Sequence, residues 1–157
     1  MKKIALGLLA TCATATAVLA QPSPGAKVPG LAKGAQTVVV ATIMSVTPAW
    51  DTNQFGDRLI MSHAELHVEE TLKGNAPQVL SLDVEGGTIG ELKLSVSDMP
   101  TVAPGERGVF FVRQTRPGVN VPSGRGEGIL KLDATNHVLG NGLTLADVKR
   151  LVQQGVR

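Results

Sequence analysis

The stretch that decides the predicted fold is residues 37–46, Thr-Val-Val-Val-Ala-Thr-Ile-Met-Ser-Val. This run is almost continuous in β-branched and apolar residues, which is typical of a central strand covered on both faces. Pro48 is predicted to end the strand, and residues 48–57 are predicted to form a loop. The run therefore predicts a buried strand in the middle of a β-sheet.

The segment after this loop is predicted to be a half-buried strand. From Leu59 apolar and polar residues alternate, with Ile60, Ala64, Leu66, Val68 and Leu72 on one side. A helix competes for the same residues, because Ser62 and Glu65 have capping-box spacing. Leu66 falls off the apolar stripe that such a helix would need, so the strand is favoured.

Short strands punctuated by turns are predicted to follow, and the last element changes period. Thr144 can cap a helix over about 145–154, Asp147 lies three residues on, and Gly155 is placed to end it. We therefore predict a mostly β fold, a small OB-like antiparallel barrel of six or seven strands with a C-terminal helix. The further strands are expected at 79–85, 92–96, 108–112, 129–133 and 137–139, and residues 116–128 are expected to be loop-like.

The first 20 residues have the marks of a secretory signal peptide. A basic start at Lys2 and Lys3 precedes a short apolar segment that ends Val18-Leu19-Ala20. Residues 21–30 contain three prolines and two glycines and are predicted to form a flexible leader, so residues 31–157 form the single domain. The protein is expected in the periplasm or outside the cell, with no membrane span.

Composition excludes several classes of function for the exported chain. Cys12 is the only cysteine and lies inside the predicted signal, so thiol catalysis, disulfides and thiolate metal sites are not expected. With Lys2 and Lys3 removed, 13 Lys and Arg residues balance 13 Asp and Glu residues. This neutral balance offers no bulk charge to hold nucleic acid.

Several motifs resemble a family of uncharacterised exported bacterial β-domains. The run Leu66-His67-Val68-Glu69-Glu70-Thr71-Leu72-Lys73-Gly74 matches a strand ending in V-x-E-x-L-K-G, and Gly86-Gly87-Thr88-Ile89-Gly90 matches the G-G-x-x-G that follows. Pro104-Gly105-Glu106-Arg107 and Gly126-Glu127-Gly128-Ile129-Leu130 agree with later pieces of that pattern. The resemblance covers residue 31 to the C-terminus and implies a β-domain, but no activity.

The opening half also resembles the netrin-like OB barrel of metalloproteinase inhibitors. The shared features are the Val38–Ile43 strand and a second strand that ends in Leu72-Lys73-Gly74. Those inhibitors reach the protease zinc with an N-terminal cysteine, and disulfides hold their barrels. This chain has neither feature, so the resemblance implies the barrel topology alone.

The loop between the first two predicted strands holds the first candidate binding site. It contains Trp50, the only tryptophan, together with Asp51, Phe55 and Asp57. In an OB-like barrel such a loop borders the usual ligand face, where aromatic rings contact ligands. The alternative is that Trp50 caps the end of the barrel as part of the core.

A second candidate site is a polar face on the second strand. His63, Glu65 and His67 alternate along it, and two imidazoles with a carboxylate are acceptable zinc ligands. The alternative is an ordinary solvated face of a half-buried strand.

No pattern of a catalytic triad, nucleophile elbow or cofactor-binding loop stands out in the sequence. The favoured function is an exported, non-catalytic binding module, with a protein as the expected partner because exposed aromatics suited to sugars are scarce. A metal-dependent hydrolase or metal-binding protein that uses His63, Glu65 and His67 is the alternative.

Overall fold

A computed structural model describes residues 23–156 of the 157-residue chain. The predicted signal peptide, with Cys12, lies outside the described residues. The chain order begins with α1, β1 and β2 and ends with β8 and α2, and a 3₁₀ turn at Arg125–Gly128 precedes β8. The bounds are α1 Val28–Gly34, β1 Thr37–Thr52, β2 Arg58–Lys73, β3 Val79–Glu85, β4 Gly87–Ile89, β5 Leu92–Leu94, β6 Arg107–Arg116, β7 Val119–Pro122, β8 Ile129–Leu132 and α2 Leu145–Val156.

Six of the strands form one antiparallel sheet in the order β3-β2-β1-β6-β7, with β8 also paired to β6, and β4 pairs with β5 in a second sheet. The mostly β prediction with a C-terminal helix is confirmed. The main sheet curls until its ends approach, since Asn120 Nδ2 on β7 donates to Ser81 O on β3 over 3.0 Å. No ladder joins β3 to β7 within residues 23–156, so the sheet is barrel-like without being closed.

The prediction that β1 is covered on both faces is confirmed for its first half. Val39 and Ala41 face the inside of the curled sheet and pack with Phe110. Val38 and Val40 face the opposite side, where Phe111 and both helices cover them. Because successive side chains of a strand point to opposite faces, an uninterrupted apolar run is what a doubly covered strand requires.

The prediction that β1 ends before Pro48 is wrong. β1 and β2 are each 16 residues long and pair as far as Thr52 and Arg58, so Trp50 and Asp51 lie on a strand and only residues 53–57 form the turn. Pro48 is opposite Ser62 in the β1–β2 register, and β6 does not extend alongside it. A proline is tolerated on a strand edge that has no neighbour. The helix considered for residues 62–72 is also wrong, because the whole segment belongs to β2.

The prediction of a flexible leader over residues 21–30 is wrong at its end, where α1 begins at Val28. Pro29 stands in the first turn of α1, where its missing N–H costs no helical hydrogen bond. Val28 and Ala32 are buried against α2. Gly155 lies inside α2 rather than ending it. A Cβ there would lie 2.3 Å from Pro29 O, so the glycine allows α2 to pack closely against α1.

Two smaller predictions also need correction. Residues 116–128 are not a plain loop, since they contain β7 and the 3₁₀ turn. The predicted closing hairpin is reduced to a single bridge between Leu132 and Val138, and β8 also pairs along its other edge with β6. Residues 137–139 therefore do not form a strand, although the turn that joins them to β8 is present.

Candidate functional site

The end of the β1–β2 hairpin carries the two most prominent exposed aromatic side chains. Trp50, near the end of β1, is 52% exposed, and Phe55, in the turn, is 65% exposed. The alternative in which Trp50 belongs to the core is therefore wrong. The other two phenylalanines, Phe110 and Phe111, are buried in the two cores.

Asn53 builds the turn that carries Phe55. Its Oδ1 accepts hydrogen bonds from the N–H groups of Phe55 and Asp57, both over 2.9 Å. Its Nδ2 donates to Asp57 Oδ2 and to Glu85 Oε1 on β3, both over 3.3 Å. Asn53 is buried, so a fully bonded side chain fixes the turn from within.

Arg125 connects the turn to the 3₁₀ segment. Its Nη2 donates to Glu85 Oε2 over 2.8 Å and to Asp98 Oδ1 over 3.0 Å, and its guanidinium lies 5.8 Å from the centre of the Phe55 ring. The hydrogen bonds from Arg125 lower the pKa of Asp98 below its ordinary value, and the bonds to Asp98 and Glu85 raise the pKa of Arg125. Asp98 and Arg125 therefore stay ionised across the physiological range.

The turn also reaches β6, since Arg113 donates to the side-chain oxygen of Gln54. Through Asn53 and Gln54 the turn contacts both β3 and β6. Of these two strands, β3 borders the gap left between β3 and β7, and β6 lies one strand away from it, beside β7. We call Asn53, Gln54, Glu85, Arg113 and Arg125 the strap, because their contacts hold the hairpin end and its aromatic side chains on a fixed backbone.

Asp51 and Asp57, predicted to bind a ligand, support this local structure. Asp51 Oδ1 accepts a hydrogen bond from the N–H of Thr52 over 2.6 Å, and Asp57 Oδ2 accepts the bond from Asn53. Both residues remain exposed, so each carboxylate retains accessible oxygen atoms. The structure therefore places all four predicted binding residues on one hairpin end.

Two of the predicted zinc ligands, His63 and Glu65, contact different partners, and the third, His67, is exposed on β2. His63 Nδ1 lies 2.7 Å from Asp83 Oδ1, and Glu65 Oε2 accepts a hydrogen bond from Ser45 Oγ over 2.9 Å. Within residues 23–156 no three His, Cys, Asp or Glu side chains come together as a possible metal site. Zinc binding by His63, Glu65 and His67 stays a prediction.

An open cleft of about 320 Å³ lies beside the second half of β1. Val46 and Pro48 of β1 form part of its wall, and Met99 and Val102 form another part. Lys93 on β5 also lines it. The sequence analysis did not anticipate this cleft, because its walls come from four separated segments, residues 46–48, 62, 84–88 and 93–102.

The strap also contains residues that the sequence analysis did not assign to the site. Asn53 carried a usable signal, since asparagine readily bonds the main chain two residues on in turns. Glu85 and Arg125 carried none, because they are 40 residues apart in the chain.

No protein-family model matches this chain, and no curated protein matches it. The two resemblances drawn from its motifs accordingly stay predictions. No helix within the described part of the chain has the length and apolar character needed to cross a bilayer.

Proposed function

We propose that this chain is an exported, non-catalytic interaction module that binds a protein partner through the hairpin end formed by Trp50, Asp51, Phe55 and Asp57. The observation that carries the proposal is the pair of exposed aromatic side chains on a backbone fixed by Asn53 and Arg125. Residues held in place before binding lose little conformational entropy when a partner arrives.

The chemistry of the surface supports a protein partner. Tryptophan is among the residues most enriched at the energetic centres of protein interfaces. Asp51 and Asp57 flank the aromatic side chains and supply carboxylates for a polar rim around an apolar contact. A sugar site would favour several stacking rings, and Phe110 and Phe111 are buried away from this surface.

Capture of partners from periplasmic extract by the immobilised exported chain tests the proposal. Trp50→Ala is the test variant, and Leu139→Ala, which shortens an apolar side chain that is 59% exposed elsewhere, is the matched control. We expect the wild type and Leu139→Ala to recover the same partners and Trp50→Ala to lose them. Recovery of the same partners by Trp50→Ala would show that the hairpin end does not bind them through Trp50.

Export has a separate test, because the signal peptide is a prediction from sequence. N-terminal sequencing of the protein recovered from the periplasm is expected to begin at Gln21. Recovery of the full-length chain from the cytoplasm would contradict export without bearing on the hairpin surface.

A further inference from the structure

We propose that the second half of β1 binds an extended acidic peptide by adding it as a new strand to the sheet. This inference rests on the proposed function and deepens it, because it names the form and charge of the partner segment. Strand addition needs a sheet edge with unbonded main-chain groups and space beside it. The structure provides both.

The main-chain directions on β1 follow from the ladders of β2. Gly86 N donates to Ile60 O, and Val68 N donates to Gln78 O, so the even-numbered residues of β2 direct their main chain toward β3. Since direction alternates along a strand, the odd-numbered residues of β2 face β1. Their partners on β1, in register, are Ser45, Thr47, Ala49 and Asp51.

The main-chain groups of Val46, Pro48 and Trp50 therefore point to the opposite side of β1, which we call the free edge. β6 pairs with β1 only as far as Thr42, and Ile43 makes the last bonds to that side, with Gly105 and Glu106. No described residue forms a main-chain hydrogen bond with the free edge. It offers two N–H donors and three C=O acceptors, since Pro48 has no N–H.

The cleft of about 320 Å³ borders the free edge at Val46 and Pro48 and extends over β2 and β3, where Ser62 and Val84 line it. Val46 and Pro48 line it from β1, and Met99 and Val102 supply apolar side chains on another wall. A strand lying there would bond to the free edge with its main chain and turn alternate side chains toward these residues. Trp50, exposed at the end of the free edge, would cover one end of the bound segment.

The charge of the residues that line the cleft favours a peptide with an acidic side chain. Lys93 lines the cleft and has no ion-pair partner among the described residues. The other charged residue of the lining, Glu85, is already paired with Arg125. The cleft therefore carries one uncompensated positive charge, which a carboxylate on the incoming strand would balance.

A displayed library of random short peptides, selected on the purified exported chain, tests the inference. We expect binders with apolar residues at alternate positions and at least one Asp or Glu. N-methylation of a selected peptide at the positions that donate to the free edge is expected to weaken binding at least about tenfold. N-methylation at the intervening positions is the matched control and should change little. A library that yields no such binder, or binders indifferent to the site of methylation, would overturn strand addition.

Two protein variants separate this inference from the proposed function. Trp50→Ala removes the indole but keeps the N–H, so it tests the aromatic contact alone. Lys93→Glu reverses the charge of the cleft and is expected to weaken the selected acidic peptides at least about tenfold, whereas Lys33→Glu, a distant control on α1, should not. Loss with Trp50→Ala, combined with indifference to methylation and to Lys93→Glu, would retain the aromatic surface and reject the added strand.

Discussion

The two halves of β1 are one continuous strand in two different environments. Residues 37–43, the proximal half, have a neighbouring strand on each edge and a core on each face. Residues 44–52, the distal half, pair only with β2 and expose Met44 and Trp50. The shift in register between Ile43 and Ser45 marks the change. Secondary structure alone therefore does not distinguish the buried half of β1 from the half that carries the proposed binding surface, but edge pairing does.

Two truncations, one beside each half of β1, measure this difference most strongly. Phe111→Ala removes a fully buried ring that packs against the proximal half, and we expect the free energy of unfolding to fall by about 3–5 kcal/mol. Phe55→Ala makes the same chemical change at the exposed hairpin end and should cost about 1 kcal/mol or less. Urea unfolding followed by circular dichroism compares them. Equal losses would contradict the assignment of the core to the proximal half.

Removal of the Arg125 side chain tests whether its hydrogen bonds fix the hairpin end of the distal half. Arg125→Ala leaves the Glu85 carboxylate, which is only 10% exposed, with Asn53 as its remaining partner, so a loss of about 2 kcal/mol is expected. Arg150→Ala breaks an exposed pair with Asp147 and should cost less than about 0.5 kcal/mol. Amide exchange in residues 53–57 should also accelerate in Arg125→Ala only. An unchanged turn would show that the strap does not fix the hairpin end.

Removal of the N-terminal cap of α2 tests how much this helix, which covers one face of the proximal half, contributes to stability. Thr144 Oγ accepts a hydrogen bond from Asp147 N and donates to Asp147 Oδ2, so Thr144→Ala is expected to lower the free energy of unfolding by about 1 kcal/mol. Thr88→Ala, an exposed threonine without a side-chain hydrogen bond among the described residues, is the control and should be neutral.

This effect should depend on pH in a defined direction. The hydrogen bonds from Thr144, with help from Arg150, lower the pKa of Asp147 to about 2 from 3.8. Because the folded value is the lower one, the stabilisation is present above about pH 4 and lost as the pH falls toward 2. Unfolding free energies at about pH 6 and about pH 2 should show the gap between wild type and Thr144→Ala narrowing at low pH. A gap that widens there would contradict the cap.

The smallest effect is expected at the centre of the proposed surface. Trp50→Ala should change the free energy of unfolding by about 0.5 kcal/mol or less, because the indole is largely exposed and belongs to neither buried cluster. Since Trp50 is the only tryptophan, its emission in the folded protein should resemble that of an exposed indole and be quenched by iodide. A strongly blue-shifted, protected emission would mean that this side chain is core, and the contrast between the two halves would disappear.

The elements that sequence patterns predicted correctly are those whose signal is local. The Val38–Ile43 run indicated burial on both faces, the alternation around Ala64 and Leu66 indicated a half-buried strand, and Thr144 with Asp147 indicated the start of α2. All four proposed binding residues lie on one hairpin end, although Trp50 and Asp51 lie on β1 rather than in the predicted loop. Each of these signals depends on neighbours within a few residues.

The failures have a shared physical cause. Whether Pro48 ends a strand depends on whether another strand occupies the edge beside it, and β6 diverges before that point. Whether Val28 joins a helix depends on burial against α2, more than a hundred residues later in the chain. Neither condition can be predicted from the residues next to Pro48 or Val28 in the sequence.

The sequence by itself determined the β class, the doubly covered strand, the terminal helix and the exposed character of the polar faces, because side-chain periodicity records which side of an element meets the core. The tertiary structure alone decided which edge of β1 stays open, which charges pair around Arg125 and where a cleft forms. Hydrogen-bond partners on a sheet edge and counterions of buried groups come from distant segments, and only folding brings those segments together.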